Sequence, residues 1–319
     1  MNALVIGYGS IGERHCRLLT ELGCSVGVVS SRALPGVCVY SSIGEAMYSD
    51  SWDYIVVANR THQHYAALKT LRERGYSGDI LVEKPLFERL MDLPDASLSR
   101  VYAAYNLRFH PILQQLRELI QGQRVLSAQV YTGQYLPGWR QQDYRKVYSA
   151  RRHEGGGVLL DLSHELDYLL WLFGPWRRLV ACGGRYSTLE IDSDDIYTML
   201  IEMSECSIVN LQLNYVDRQR QRQIIVNTDE HTYTADLVGA TLKIDGETHS
   251  YCLHPDVTYL EQHKALLGGS RELLCPASEA NDSLYMIERA HSSVRSGGWV
   301  SNEKAMHHLR ARRVEGHSP

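Results

Sequence analysis

The sequence predicts an α/β protein with two domains. The first domain is a doubly wound parallel sheet, and the second is an α+β domain with an open, mixed and mostly antiparallel sheet. In the first 120 residues, short apolar runs alternate with amphipathic helical stretches, which implies right-handed crossovers between parallel strands. Beyond about residue 122, strands follow one another with a single helical interruption, so hairpins are expected to join them. We predict domains over residues 1–120 and 121–300, followed by a polar, basic tail over 301–319.

Composition narrows the class of protein. The chain has 319 residues, a net charge of -4 and 44% hydrophobic residues, values that are ordinary for a soluble globular protein and do not indicate a nucleic-acid partner. Seven cysteines occur without a Cys-x-x-Cys pair, so we expect reduced thiols and no metal site. No signal peptide and no apolar run long enough for a membrane span are recognised, and the expected location is the cytoplasm.

The elements of the first domain follow from apolar periodicity. The glycine-flanked stretch Ser10–Leu22 has the spacing of an amphipathic helix, and His62–Arg74 has the same pattern. A short helix is expected near Ile43–Met47. The predicted strands are Ala3–Gly7, Ser25–Ser30, Tyr54–Ala58, Ile80–Val82 and Val101–Ala104.

The second domain is predicted to be rich in strands. One helix, Gly157–Phe173, interrupts them, and two more, near Thr258–Leu267 and Ser278–Ser296, follow them. The stretches "TDEH" and "IDGE" have the composition of hairpin turns. The predicted strands are Val125–Gly133, Leu179–Tyr186, Asp195–Met203, Ser207–Tyr215, Gln223–Thr228, His231–Leu237 and Thr241–Ile244.

Three glycines at Gly7, Gly9 and Gly12 join the first strand to the first helix. In a βαβ unit this spacing allows a tight turn, the approach of a pyrophosphate to the backbone, and close packing of helix on strand. The N–H groups at the helix start would face the phosphates. We therefore predict a dinucleotide site that also includes Ser10 and Ile11; the alternative is an ordinary strand–helix turn.

The end of the second strand indicates which dinucleotide is bound. NAD-binding folds usually have an acidic residue there for the ribose 2′-hydroxyl. This chain has Ser30, Ser31 and Arg32 instead, and the guanidinium suits a 2′-phosphate. NADP is therefore the expected cofactor, with NAD left open in case Arg32 is a solvated loop residue.

A lysine follows the fourth strand in "ILVEKPLF", where Glu83, Lys84 and Pro85 lie at the carboxyl end. Ligands of open α/β sheets bind at this edge. A partly desolvated lysine there can take part in proton transfer or polarise a carbonyl group. Taken alone, a lysine at a strand end is more often a surface cation.

Five segments resemble one family when they are taken together. "VIGYGSIG", "ANRTHQHYAAL", "VEKP", "YNLRFHP" and "EGGGVLLDLSHELDYLLWLFG" occur in this order and at fitting distances. The series is similar to the glucose–fructose oxidoreductase / inositol dehydrogenase (Gfo/Idh/MocA) family, by motif over residues 1 to about 175 and by its strand-rich layout beyond. The resemblance implies a nicotinamide-dependent oxidoreductase with a Rossmann-like first domain.

The resemblance also implies site residues. It assigns Lys84 as a catalytic residue at the nicotinamide. It assigns Asp161 and His164 as an acid/base pair on the helix that follows Gly155–Gly157. Most members space that pair by four residues, whereas this chain spaces it by three, with Asp167 three further on. Positions three apart still share a helix face, so we keep His164 as general acid/base and place the role of Asp161 in doubt. The alternative is a polar cluster without a catalytic role.

Further residues are assigned to cofactor and substrate. Asn59, Arg60 and Glu83 lie at strand ends beside the expected cofactor, and His64 matches a family histidine for which we favour a structural role. For the substrate, the domain junction supplies Asn106 and Arg108, and the predicted helix Gly157–Phe173 supplies Asp167. A loop rich in aromatic and guanidinium groups suits sugar stacking and anion binding; it carries Tyr135, Trp139, Arg140, Tyr144 and Arg145.

The resulting prediction is hydride transfer to or from a secondary alcohol or ketone of a sugar-like substrate bound between the domains. By resemblance, amino sugars, nucleotide sugars or sugar acids of surface polysaccharides are favoured. Alternatives are an imine or enone reductase, a redox-neutral enzyme, or a non-catalytic dinucleotide sensor. Apolar residues in the second sheet, such as Ile208, Leu211 and Leu213, are expected to need cover, which predicts a homodimer or homotetramer through that sheet.

Overall fold

The computed structural model describes residues 1–91 and 100–304. Most of the predicted tail, from residue 305 onward, lies outside the described residues. The chain divides into two compact units. The first unit comprises Met1–His110 and His254–Leu284, and the second comprises Pro111–Leu253 and Tyr285–Pro319. No helix among the described residues is both long enough and apolar enough to span a membrane.

The described residues form sixteen strands and eight α-helices, joined in places by short 3₁₀ turns. The strands are β1 (Asn2–Ile6), β2 (Ser25–Val29), β3 (Cys38–Tyr40), β4 (Tyr54–Val57), β5 (Asp79–Val82), β6 (Val101–Ala103), β7 (Val125–Gly133), β8 (Trp176–Gly184), β9 (Ile196–Met203), β10 (Cys206–Asn214), β11 (Gln221–Thr228), β12 (Thr232–Asp236), β13 (Thr241–Ile244), β14 (Glu247–Ser250), β15 (Cys275–Pro276) and β16 (Val300–Ser301). The helices are α1 (Ser10–Glu21), α2 (Ile43–Ser49), α3 (His64–Glu73), α4 (Pro111–Ile120), α5 (Val158–Asp161), α6 (His164–Phe173), α7 (Val257–Gly268) and α8 (Ala277–Ser296).

The first unit is built on a sheet with the strand order β15-β6-β5-β4-β1-β2-β3. All its strand pairs are parallel except the pair between β15 and β6. The central strands β4 and β5 are buried along their whole length, because helices cover both faces of a doubly wound sheet. The predicted doubly wound fold is therefore confirmed.

The second unit contains a sheet with the strand order β14-β13-β12-β11-β7-β10-β9-β8-β16. The pair β7–β10 is parallel and the other pairs are antiparallel, as predicted for an open, mixed sheet. The predicted "IDGE" turn joins β13 to β14. Its central residues, Asp245 and Gly246, both have positive φ angles, as a two-residue hairpin of the primed type requires.

The division of the chain differs from the predicted boundaries of 1–120 and 121–300. Residues 254–284 belong to the first unit, because β15 pairs with β6 and α7 packs against α1 and the turn at Asn106–Phe109. The second unit starts at Pro111 with α4, a helix that the sequence analysis does not contain; its buried residues are Ile112, Leu113, Leu116 and Ile120.

Two apolar residues predicted to be exposed on the second sheet are covered by the chain itself. Leu211 and Leu213 are fully buried, whereas Ile208 is 42% exposed. The strand alternates, so Leu211 and Leu213 lie on the face opposite Ile208. The prediction that all three need cover from a partner is therefore wrong for Leu211 and Leu213. Ile208 and Leu200 are the exposed large apolar residues of β9 and β10, and both lie on the open face.

Candidate functional site

The carboxyl ends of five parallel strands meet at one edge of the first sheet. Register pairs Ile6 with Val29 and Val57, Val57 with Val82, and Val82 with Ala103. The segments that follow these strands therefore leave the sheet along one line. They contain most of the predicted cofactor residues and Lys84, and the carboxyl edge is where open α/β sheets bind ligands.

The glycine loop after β1 is closely packed. Gly7 has a φ of +98°, and a Cβ on it would lie 2.7 Å from the backbone of Asn59. A Cβ on Gly12 would lie 2.1 Å from the carbonyl oxygen of Gly7, so α1 rests directly on the turn. Both positions therefore require glycine, and they bring the ends of β1 and β4 together.

The residues around this loop fit a dinucleotide. A Cβ on Gly9 would meet nothing within 4 Å, and Gly9 and Ser10 are exposed, so the loop is open where a pyrophosphate would approach. Within the described part of the chain, no side chain caps the first turn of α1, whose N–H groups stay available for an anion. The buried Oδ1 of Asn59 has no hydrogen-bond partner among the described residues. An open cradle beside an unsatisfied polar atom is what a bound cofactor would complete.

The segment after β2 lies against the glycine loop. The Arg32 guanidinium donates a hydrogen bond to the carbonyl oxygen of Tyr8, and the Arg32 backbone N–H donates to Ser30 Oγ at 3.0 Å. Ser31 and Arg32 are exposed. No carboxylate occurs between Val29 and Leu34, so the group beside the loop is cationic and hydroxylic.

His64 connects two of the strand-end loops. Its Nδ1 lies 3.1 Å from the carbonyl oxygen of Leu86, and its Nε2 lies 3.2 Å from that of Asn59. Burial lowers the pKa of His64, so the ring is neutral and donates to one carbonyl at a time. These contacts explain His64 as a structural tie; its assignment to the cofactor stays a prediction, as does that of the exposed Arg60.

A chain of four buried polar groups ends beside Lys84. Tyr54 Oη lies 3.2 Å from His263 Nδ1, His263 Nε2 lies 2.9 Å from His15 Nδ1, and His15 Nε2 lies 2.8 Å from Glu83 Oε1. The other carboxylate oxygen, Glu83 Oε2, accepts the backbone N–H of Lys84 at 3.1 Å. These hydrogen-bonded side chains thus join α7, α1, β4 and the end of β5, and they hold the backbone at Lys84.

The direction of these hydrogen bonds follows from the groups at the ends. Burial and the neighbouring His15 lower the pKa of His263 well below its ordinary value, so His263 is neutral. Burial raises the pKa of Tyr54, which keeps its O–H proton. A carboxylate only accepts. We therefore assign His15 as donor to Glu83, and the neutral His263 as donor through one ring nitrogen and acceptor through the other.

The neutral state of His263 predicts a loss of stability in mild acid. The unfolded chain binds a proton at this residue below about pH 6.5, whereas the folded chain does not, so acid favours unfolding. The free energy of unfolding therefore falls by at most about 1.4 kcal/mol for each pH unit below that value. Urea unfolding at about pH 7.5 and at about pH 5.5 measures this effect. Between the two pH values, we expect the free energy of unfolding to fall less for His263→Gln than for the wild type. The exposed His153, replaced by glutamine, is the matched control. An equal loss in both variants would contradict the assignment.

Asn106 and Arg108 have partners inside the first unit. Asn106 Nδ2 donates to Thr258 Oγ1 at 2.7 Å, and Arg108 Nη1 lies 2.8 Å from Glu279 Oε2. Both residues are buried. These contacts explain the two side chains without a substrate, so their role in substrate binding stays a prediction.

The predicted catalytic helix of the second unit is interrupted. The prediction of one helix over Gly157–Phe173, carrying Asp161, His164 and Asp167, is wrong: α5 ends at Asp161 and α6 begins at His164. At the break, the Ser163 N–H bonds to the carbonyl of Leu160, and the i−4 pattern resumes where the Asp167 N–H bonds to that of Ser163. Helical spacing therefore relates His164 to Asp167, but not to Asp161.

Asp161 lies among tyrosines. Its Oδ2 accepts a hydrogen bond from Tyr215 at 2.5 Å. Burial, and then the negative charge of Asp161, raise the pKa values of Tyr215 and Tyr148. Both phenols therefore stay protonated and act as hydrogen-bond donors around this carboxylate.

The aromatic loop contributes to the same surroundings. Trp139 packs edge-to-face on Tyr215 with ring centroids 5.2 Å apart, and the Arg140 guanidinium lies 5.3 Å from the centroid of the Tyr148 ring. Two of the predicted substrate residues are thus connected to Asp161 through tyrosines. Arg145 instead pairs with Asp143 and Glu190, at 2.9 Å and 2.7 Å.

Three residues of these clusters are not predicted from the sequence: His15, His263 and Tyr215. His15 lies on the buried face of α1, three residues after Gly12, and a polar residue on an apolar face is a signal of a buried partner. That partner, His263, is 248 positions away, and no local pattern shows the pairing. Within the described ranges, no three His, Cys, Asp or Glu side chains come together in a way that could hold a metal ion.

Both halves of the chain match known families. Residues 1–97 match an oxidoreductase family with an NAD-binding Rossmann fold, and residues 113–234 match the GFO/IDH/MocA C-terminal domain. An uncharacterized oxidoreductase of Streptococcus pneumoniae is 24% identical over 231 residues, 69% of this chain and 62% of the relative. An uncharacterized oxidoreductase of Synechocystis is 31% identical over 151 residues, 44% of this chain and 40% of the relative. The matches span less than two thirds of either relative.

Solved structures show the same fold over nearly the whole chain. GenD2 from gentamicin A biosynthesis, in complex with NAD, has a TM-score of 0.79 and 21% identity, with 95% of this chain and 96% of that chain covered. The WlbA dehydrogenase of Bordetella pertussis, in complex with NADH and UDP-GlcNAcA, has a TM-score of 0.77 and 18% identity, with 94% and 98% covered. With the two matched segments extending over more than half of its residues, the chain belongs to the Gfo/Idh/MocA family of oxidoreductases.

Proposed function

We propose that the protein is a nicotinamide-dependent oxidoreductase that acts on a secondary alcohol or ketone of a sugar-like substrate. The observation that supports this most directly is the strand-end edge of the first sheet, where an open glycine loop and Lys84 follow neighbouring strands. A bound nicotinamide dinucleotide would supply the hydride acceptor or donor.

In this proposal the first unit binds the dinucleotide through backbone and short polar groups. The N–H groups at the start of α1 bind the pyrophosphate, and Gly9 leaves room for it. Asn59, whose amide oxygen has no protein partner in the described chain, binds a polar group of the dinucleotide. The series of buried, hydrogen-bonded side chains that ends at Glu83 fixes the backbone at Lys84, so the lysine extends from a rigid strand end.

Proton transfer is assigned to Lys84 and His164. One of them takes the proton from the substrate hydroxyl in the oxidising direction, and the same group returns it in reduction. His164 is half-buried at the first residue of α6, with the buried Asp167 one turn further on. Asp161 is assigned a positioning role, because its carboxylate fixes Tyr215 and the aromatic surroundings of the site.

The activity is tested by the absorbance of the reduced nicotinamide. Purified protein is mixed with NADP⁺ or NAD⁺ and a panel of amino sugars, nucleotide sugars and sugar acids. We expect at least one member to be oxidised. If no member, nor the corresponding ketones with reduced cofactor, changes the absorbance, the proposal is contradicted.

The preference for NADP rests on Ser30–Arg32 alone. The similar structures named above contain NAD or NADH and do not support it. Arg32→Ala should weaken NADPH binding by about 1–3 kcal/mol, because a charged hydrogen-bond partner of the 2′-phosphate is removed. NADH binding should change little. Fluorescence titration of both cofactors measures this, with the exposed Arg295→Ala as control. If the wild type binds NADH as tightly as NADPH, the preference does not exist.

We also propose that the protein works in the cytoplasm as a homodimer or homotetramer. Ile208 and Leu200, which are exposed on the open face of the second sheet, support an interface there. Light scattering that finds a monomer at micromolar concentration would contradict it.

A further inference from the structure

Three arginines occur at alternate positions before and at the start of β11, at Arg218, Arg220 and Arg222. Side chains two residues apart in an extended chain point to the same side. Ile224 and Val226 continue this alternation and are fully buried. Arg222 therefore lies on the covered face of the sheet, whereas Arg218 and Arg220 are exposed in the bend that precedes β11.

Arg222 forms an ion pair with a carboxylate of α6. Its Nε lies 2.7 Å from Glu165 Oε1, which also accepts a hydrogen bond from Thr132 Oγ1 at 2.9 Å. Glu165 is fully buried and directly follows His164 in α6. The pair balances one positive charge and ties the start of β11 to α6, the helix that begins at His164.

The positive charges of Arg218 and Arg220 have no comparable carboxylate partner among the described residues. Among residues 1–91 and 100–304, no carboxylate oxygen lies within 4.0 Å of either guanidinium. The Arg218 guanidinium lies 3.6 Å from the centroid of the Tyr135 ring, and its side chain is exposed. Arg220, two residues before the paired Arg222, is exposed, and partial desolvation and the charge of Arg222 lower its pKa.

The loop that carries these two residues is held by its own hydrogen bonds. Asn214 Oδ1 accepts the backbone N–H groups of Val216 and Asp217 at 3.0 Å and 2.9 Å, and Tyr131 donates to Asp217 at 2.7 Å. A loop tied in this way keeps its guanidinium groups in place before a ligand arrives, which lowers the cost of binding.

We propose that Arg218 and Arg220 bind an oxyanion, a carboxylate or a phosphate, carried by the substrate that reacts at His164. The inference rests on the proposed function for the reaction itself and adds the charge of its substrate. Guanidinium groups match the geometry of both oxyanions, and Tyr135 supports the flat face of Arg218. The chain would therefore select a sugar acid or a phosphorylated sugar over a neutral one.

Calorimetric binding tests this charge selection without turnover. The protein is saturated with NADPH, which fills the dinucleotide site but cannot oxidise these alcohols, and is titrated with D-glucuronate, UDP-N-acetylglucosamine or N-acetylglucosamine. We expect an anionic probe to bind more tightly than N-acetylglucosamine. Arg218→Gln and Arg220→Gln should each lower the affinity for that anionic probe by about 10-fold to 100-fold, the range for losing a charged hydrogen bond. The probe that responds identifies the oxyanion as carboxylate or phosphate.

Two controls separate charge recognition from misfolding. Arg220→Lys should retain part of the affinity, and Arg124→Gln, at a 77% exposed side chain elsewhere in the second unit, should bind like the wild type. If Arg218→Gln and Arg220→Gln bind every probe like the wild type, or lose anionic and neutral probes equally, the inference is overturned. The same holds if no anionic probe binds.

The result is separable from that of the proposed function. If binding depends on the arginines but no substrate changes the nicotinamide absorbance, the oxyanion site stands and the oxidoreductase proposal fails. If an anionic sugar is oxidised at the same rate by the wild type and the arginine variants, the oxidoreductase proposal stands and the oxyanion site fails.

Discussion

Replacing Lys84 with methionine is expected to lower kcat by about 10²-fold to 10⁴-fold, the usual contribution of a proton-transfer group, which corresponds to about 3–5 kcal/mol of barrier. Methionine keeps the length of the aliphatic stem and removes the ammonium. The backbone hydrogen bond from Lys84 to Glu83 does not depend on the side chain, so the end of β5 should stay intact. Dinucleotide affinity should therefore remain within a few-fold of the wild type.

Steady-state kinetics and fluorescence titration measure the two quantities separately. Lys69→Met is the matched control, because Lys69 is an exposed lysine of α3 whose nearest acidic partner, Glu73, is 3.9 Å away. A fall in dinucleotide affinity as large as the fall in kcat would assign Lys84 to the cofactor instead of to proton transfer. Unchanged turnover would remove Lys84 from the mechanism.

The first sheet could be predicted from sequence because its central strands are covered on both faces. Buried runs such as Tyr54–Val57 are continuously apolar, and the glycine spacing at Gly7–Gly12 follows from contacts that a Cβ would destroy. The edge strand β3 has no comparable signal, since it is three residues long and only Tyr40 is buried. Local patterns therefore predict the core strands but neither of the short edge strands, β3 and β15.

The site was less predictable, because its contacts join distant segments. The pairing of His15 with His263 and the placement of residues 254–284 in the first unit depend on tertiary packing. The break at Leu162–Ser163 was hidden because the residues on both sides have a helical apolar pattern. Arg218 and Arg220 were overlooked because the strand was predicted to start at Gln223, after the arginine alternation had ended.

Replacing His164 with alanine should lower kcat by a factor similar to that of Lys84→Met, about 10²-fold to 10⁴-fold. His164 begins α6, and the Asp167 N–H bonds to Ser163, so the first turn of the helix does not rely on the imidazole. Asp161→Asn should cost less, because an asparagine can still accept a hydrogen bond from Tyr215. The exposed His153→Ala is the control within the same unit.

A double variant tests whether the two groups serve one proton transfer. Residues that act as a unit are strongly non-additive, so Lys84→Met combined with His164→Ala should lose little more than the worse single variant. Added imidazole should restore part of the turnover of His164→Ala and none of that of Lys84→Met. If the single losses multiply in the double variant, Lys84 and His164 act in separate steps. If His164→Ala retains full kcat with an unchanged pH profile, His164 is not the acid/base group, and the shortened spacing between Asp161 and His164 marks a site whose catalytic residue lies elsewhere.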